Sequence, residues 1–172
     1  IEFSPKLVQE RAKEFMNHGV CRRLQVLERC VENIFNIFPP DRQDLLSRDE
    51  LADVNIQLHS FVINLFGAID NLAWVFVIEN GLEATINKRQ VGLFSASTQE
   101  HMPEGVRAYV QSESSRNWHK TYLTNYRDAL AHRIPLYVPP FAILKANVEQ
   151  YQEIESQILA NIRNHNFEAN AL

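Results

Sequence analysis

Apolar residues recur early in the chain at Val8, Ala12, Met16, Val20, Leu24, Leu27, Val31, Ile34 and Phe38. Steps of three and four keep such positions on one face of a helix. The spacing predicts an amphipathic helix that starts at Ser4-Pro5, a capping hydroxyl followed by a proline suited to the first turn. Gly19 is expected to kink or split it, and Pro39-Pro40 to end it. A second start lies at Ser47-Arg48-Asp49-Glu50, where serine and glutamate three apart fit a capping box. The apolar face that follows runs Leu51, Val54, Leu58, Phe61, Leu65, Ile69, Leu72 and Phe76, with Asn80-Gly81 as its C-terminal cap.

Residues 82–102 carry no clear period and read as a loop with room for a short helix. Pro103 opens a third helical region, interrupted near Ser112–Ser115 and resumed from Arg116 to Arg133. Ile134 precedes a proline, which disfavours helical geometry, so "IPLYVPP" is an extended connector. A last helix uses Val148, Tyr151, Ile154, Ile158 and Ile162, before a tail over 164–172 that is expected to fray. The chain therefore reads as one all-α domain over residues 1–172, an antiparallel bundle of four or five helices.

Composition narrows the function classes. A net charge of −4 over 172 residues supplies no bulk attraction for nucleic acid or an anionic membrane, so any phosphate contact has to come from a local patch. Cys21 and Cys30, nine residues apart on a helix, point to opposite sides about 13 Å apart along the axis and cannot bridge each other. That usage suits a reducing cytoplasm. No 18-residue uncharged apolar run occurs, so no membrane partner is expected. The chain begins at Ile1 rather than a methionine, and residues ahead of it are expected.

The local patch lies in "NYRDALAHRIPLYVPP", residues 125–140. Asp128 and His132 are four apart, hence neighbours on a helix, and the aspartate is placed to hold one ring nitrogen and fix the tautomer. Arg127 stands about 140° around the helix from His132, so it has to wrap or serve a histidine of another chain. Cationic Arg133 suits the last carbonyls. On spacing alone, ordinary helix-end chemistry accounts for this cluster better than function does. Charge adds weight to function. Between Arg116 and Arg133, four cations (Arg116, Lys120, Arg127, Arg133) face one acid, Asp128, a local +3. Arg116, Lys120 and Arg133 are the candidates for RNA phosphate contacts. Trp118, Tyr122 and Tyr126, at steps of four, read as the helix's core stripe ahead of a platform for stacked bases.

Arg127, a polar Asp128, then His132 at the end of a late helix, within "YRDALAHRIPLYVPP", resembles the HEPN superfamily, in particular its small stand-alone prokaryotic members. The helix "FGAIDNLAWVFVIENG" shares in the resemblance, which together spans most of residues 50–140. The resemblance implies a HEPN-like helical domain acting as an RNA-binding, metal-independent endoribonuclease, as toxin or antiviral effector, with catalytic Arg127, Asp128 and His132 paired across a homodimer. It implies no cofactor and no metal. RNA or a nucleotide would be the ligand, with an antitoxin or other protein partner that the sequence does not identify. The chemistry fits: RNA's 2′-hydroxyl attacks the adjacent phosphate, a histidine moves protons, and an arginine holds the charge that builds on phosphorus. Toxin members that carry a tyrosine two residues after the histidine have Ile134 at that position here, so regulation through that tyrosine is not expected. The rival, from another class, is a non-catalytic helical module that binds a nucleotide or a protein.

Asp70 and Asn71, in "FGAIDNLAW", are candidates to support the site, Asp70 by bonding Arg127, Arg133 or a backbone group. His59 and His119 lack metal-ligand companions, and no His-Glu-x-x-His, Cys-x-x-Cys or phosphate-binding glycine loop occurs. Gly67 is expected to permit close helix packing.

Overall fold

A computed structural model describes residues 6–140 and 147–165, and every regular element in them is helical. The Ser4-Pro5 start and the end of the tail fall outside the described residues. The chain falls into two compact units, residues 1–42 with 47–138, and residues 43–46 with 139–172.

In the first unit, α1 (Glu10–Glu14), a π-helical stretch (Phe15–Cys21) and α2 (Arg22–Ile37) form one unbroken run. Gly19 does not split it. The turn around it widens, and a Cβ at Gly19 would lie 2.8 Å from the Asn71 side chain, so the glycine admits Asn71. A π segment takes more residues per turn and rotates the face of whatever follows. Ala12, Val20 and Leu27 are buried as the spacing predicts, whereas Leu24 and Val31 are exposed and Cys30 is buried instead. Val8 precedes the helix and is 78% exposed. The run starts at Glu10 without a cap from Gln9. Its start is held from afar: Val8 and Gln9 N–H donate to the two Glu79 carboxylate oxygens, at 2.7 and 3.0 Å. Both cysteines are free.

The central helix is α3 (Arg48–Glu79). It begins with the capping box the sequence predicts: Glu50 N–H donates to Ser47 Oγ at 3.3 Å, and Ser47 N–H to Glu50 Oε2 at 2.8 Å. Arg42 grips the same carboxylate with both terminal nitrogens, at 2.9 and 3.0 Å, and donates to the Ile37 carbonyl at 2.7 Å. One arginine thus ties the end of α2 to the start of α3. Its hydrogen bonds, followed by those from Ser47, lower the Glu50 pKa from the usual 4.5 to about 2. Protonating Glu50 is disfavoured in the fold, so its contribution is complete above pH 4.5 and is lost as pH falls toward 2. An acid titration followed by circular dichroism should therefore show Glu50→Gln less stable than the parent at neutral pH, with the difference closing below pH 4. A constant difference down to pH 2 would remove the linkage.

After Gly81, at φ +66°, the 82–102 loop holds a 3₁₀ turn (Lys88–Gln90) and one-turn α4 (Ala96–Gln99). Then come α5 (Glu104–Gln111), α6 (Glu113–Trp118), a π stretch (His119–Thr124) and α7 (Asn125–His132). Among the described residues α3 alone is long and apolar enough to cross a membrane, and 33% of its apolar stretch is buried inside the protein. It packs against α1, α2 and α7, which makes it the axis of the unit. The core sits at its C-terminal end, where Val75 and Ile78 meet Ala12 and Val20, with Phe15 and Trp74 packed alongside.

The second unit contains α8 (Val148–Arg163) and buried Leu46, whose N–H donates to the Pro140 carbonyl at 3.1 Å. Apart from the 3₁₀ turn, continuous helical runs among the described residues number six, where the sequence suggested four or five. The one-turn α4 and the break at Ser112 account for the excess.

Candidate functional site

Ser112 leaves α5 in extended geometry (φ −56°, ψ 148°), and its hydroxyl accepts from Ser115 N–H at 3.3 Å to start α6. The interruption predicted near Ser112–Ser115 is this cap. The helix then runs to His132 and stops at Arg133, which is extended (φ −134°, ψ −160°) ahead of Pro135. Two side chains of α3 hold the connector that follows. His59 Nε2–H donates to the Leu136 carbonyl at 2.6 Å, and Val138 N–H donates to Asn55 Oδ1 at 2.8 Å. The end of the Arg127–His132 helix is thereby fixed against α3.

Arg127 lies across Phe66, its guanidinium carbon 4.6 Å from the ring centroid. Its Nη1 meets Asp128 Oδ1 at 3.0 Å. Its Nε is buried and has no hydrogen-bond partner among the described residues. The expected Asp128–His132 bond is absent: Asp128 turns to Arg127, because a charged guanidinium attracts a carboxylate more strongly than an imidazole does. His132 is exposed and makes no hydrogen bond among the described residues.

Asp70 lies where Arg127 and Arg23 both act on it, although no hydrogen bond joins it to either. Desolvation raises its carboxyl pKa, and the two guanidinium charges pull it down only in part. The residue as a whole is exposed, so that desolvation is incomplete. Of the contacts expected for Asp70, the proximity to Arg127 is found and a bond to Arg133 is not.

Asn71 Oδ1 accepts from Arg23 Nε at 3.0 Å, and Asn64 Oδ1 accepts from Arg23 Nη1 at 3.0 Å. Gly67 makes room for this: a Cβ there would lie 2.5 Å from the Arg23 guanidinium carbon. Asp70 therefore sits on α3 between a guanidinium from α2 and one from α7. Sequence reasoning missed Arg23, Asn64 and Phe66. The signal within reach was a polar notch, Asn64, Gly67 and Asn71 at steps of three and four on an apolar helix. Nothing marked Arg23 rather than Arg22 as its occupant.

The three phosphate-contact candidates, Arg116, Lys120 and Arg133, are exposed and form no ion pair among the described residues. The aromatic stripe is not core. Trp118, Tyr122 and Tyr126 are 41%, 48% and 39% exposed, Tyr122 meets Tyr126 edge-on with centroids 5.9 Å apart, and Leu123 takes the interior instead. His119 stacks on Phe94 at 3.9 Å, and desolvation lowers its pKa. No three His, Cys, Asp or Glu side chains among the described residues gather as metal ligands. Exposed cations, exposed rings and an exposed imidazole thus occur along the stretch from Arg116 to Arg133. Comparison with protein families, with curated proteins and with solved structures returns no match.

Proposed function

We propose that this protein is an RNA-binding, HEPN-like helical bundle that cleaves RNA without a metal, with His132 moving protons and Arg127 holding charge on phosphorus. The observation that carries the reading is the state of Arg127. It is positioned by Phe66 and Asp128, yet one of its N–H groups is buried without an acceptor. An orphan buried donor costs about 1–3 kcal/mol. An incoming phosphate that draws the guanidinium out of this pose relieves the cost and gains a bidentate partner. His132 stands exposed one helical turn beyond Asp128, free to reach the same phosphate or that of a second site. A homodimer that places each arginine beside the facing histidine completes the arrangement. Exposed Leu24, Val31 and Phe35 on α2 and Ile56 and Ile63 on α3 offer apolar surface for it. Toxin or defence activity, and an antitoxin where there is one, follow from the same resemblance.

A non-catalytic module is the second reading. It is favoured by the same Arg127–Asp128 pair, which already neutralises the arginine in the free protein. Incubation with total RNA separates the two: cleavage by the parent, lost in His132→Ala, supports the nuclease, and binding without cleavage supports the module.

The unpaired cations carry a second expectation. Lys120→Gln and Arg133→Gln should each weaken RNA binding and reduce the slope of log K against log salt by about 0.7 per lost phosphate contact. Slopes unchanged in both variants would make the patch a solvated helix face.

A further inference from the structure

Beside the Arg127 cluster, α5 and α6 close with the 91–95 segment over α3 around a pocket of about 470 Å³. That lies within the range of about 300–1,000 Å³ usual for small-ligand sites. Ile69, the neighbour of Asp70 on α3, lines it, so the pocket and the cluster share one turn of that helix. Three of its walls are aromatic: Phe94, Tyr109 and Trp118. Tyr109 is 74% exposed, so its ring is open to an incoming ligand. Two hydroxyls, from Ser114 and Ser115, complete the lining. Ser112 donates to Ser115 Oγ at 3.0 Å, which leaves the Ser115 proton free, and Ser114 has no partner among the described residues. The pocket is preformed. Gln111 donates to Gln99, and buried Gln99 donates in turn to the Leu93 carbonyl at 3.0 Å, pinning the segment that carries Phe94.

We propose that this pocket receives one unpaired nucleobase of a single-stranded RNA, a proposal that rests on reading the protein as RNA-binding. Every base has a face to stack on Trp118 or Tyr109, and its polar edge matches hydroxyls that both donate and accept. A purely apolar ligand would leave both serine hydroxyls idle, and an anion alone would find no cation in the lining. The pocket is thus the element that selects an unstacked nucleotide and sets which phosphate lies next to Arg127 and His132.

The experiment titrates the full chain with RNA hexanucleotides, intact or with one abasic residue at each position in turn, and reads tryptophan fluorescence. A Trp118→Phe protein isolates the signal of Trp74. Intact RNA should quench Trp118, and one abasic position should abolish the quench. Trp118→Ala should weaken binding about 5- to 150-fold, the loss of one stacked base. Tyr109→Ala, at a site too exposed to disturb folding, should weaken it as well, and Trp118→Phe should retain most of the affinity. Equal binding of intact and abasic RNA at every position, or parent affinity in both alanine variants, overturns the pocket while leaving cleavage at His132 standing. Base-dependent quenching without cleavage leaves the pocket and removes the nuclease. Absence of RNA binding overturns both.

Discussion

His132→Ala is expected to lower RNA cleavage by about 10²–10⁴-fold, the usual worth of a positioned acid or base. Its thermal melt should match the parent's, because the side chain is exposed and makes no hydrogen bond among the described residues. Arg127→Ala should also lose cleavage, by leaving phosphorus charge unstabilised, and it removes the ring contact on Phe66 as well. Asp128→Asn has a different expected effect. Asp128 holds Arg127 rather than His132, so neutralising it frees the guanidinium for RNA. Affinity should rise or hold while cleavage falls mildly through loss of positioning. Products should end in a 2′,3′-cyclic phosphate, and chelators should have no effect. If each site draws arginine and histidine from different chains, mixing Arg127→Ala with His132→Ala protomers restores some activity, since a mixed dimer keeps one intact site. Mixed dimers shown to form yet inactive would sink the cross-chain arrangement. Parent-level cleavage by His132→Ala would sink the catalytic assignment itself.

Ile78→Ala is expected to destabilise the fold by about 2–5 kcal/mol, out of a total of about 5–15 kcal/mol for a domain of this kind. Ile78 is 4% exposed and meets Ala12, Val20 and Val75, so truncation leaves a cavity between α3 and the first helical run. The melting temperature should fall by on the order of 10 °C. Val8→Ala is the comparison. Val8 belongs to the periodic stripe of the sequence but precedes the helix, and its substitution should stay within about 0.5 kcal/mol. Equal losses in the two variants would mean that the core lies along the sequence stripe and not where Ile78 sits.

Local signals were legible in the sequence because local chemistry decides them. The capping box at Ser47 and Glu50, the stop before Pro39, the left-handed Gly81, the cap at Ser112 and the extended residues before Pro135 each depend on a few adjacent residues. Helical periodicity likewise settled the all-α class. Arg127, Asp128 and His132 were legible as a cluster for the same reason.

Tertiary structure alone decided the partners. Asp128 had two candidates, His132 on its own face and Arg127 beside it, and the choice fell on Arg127, whose guanidinium is held in reach over Phe66 of another helix. Glu79 caps a helix that starts about 70 residues earlier, and Arg23 settles over Gly67 because no Cβ stands there. On α2, Cys30 is buried while Leu24 and Val31 stay exposed, a choice among neighbouring positions that depends on what packs opposite. Along α6, the π stretch and α7, steps of four placed Trp118, Tyr122 and Tyr126 on one stripe, but periodicity does not say which face meets protein and which meets water. That assignment depends on what packs opposite. Here it buries Leu123 and leaves the rings to solvent.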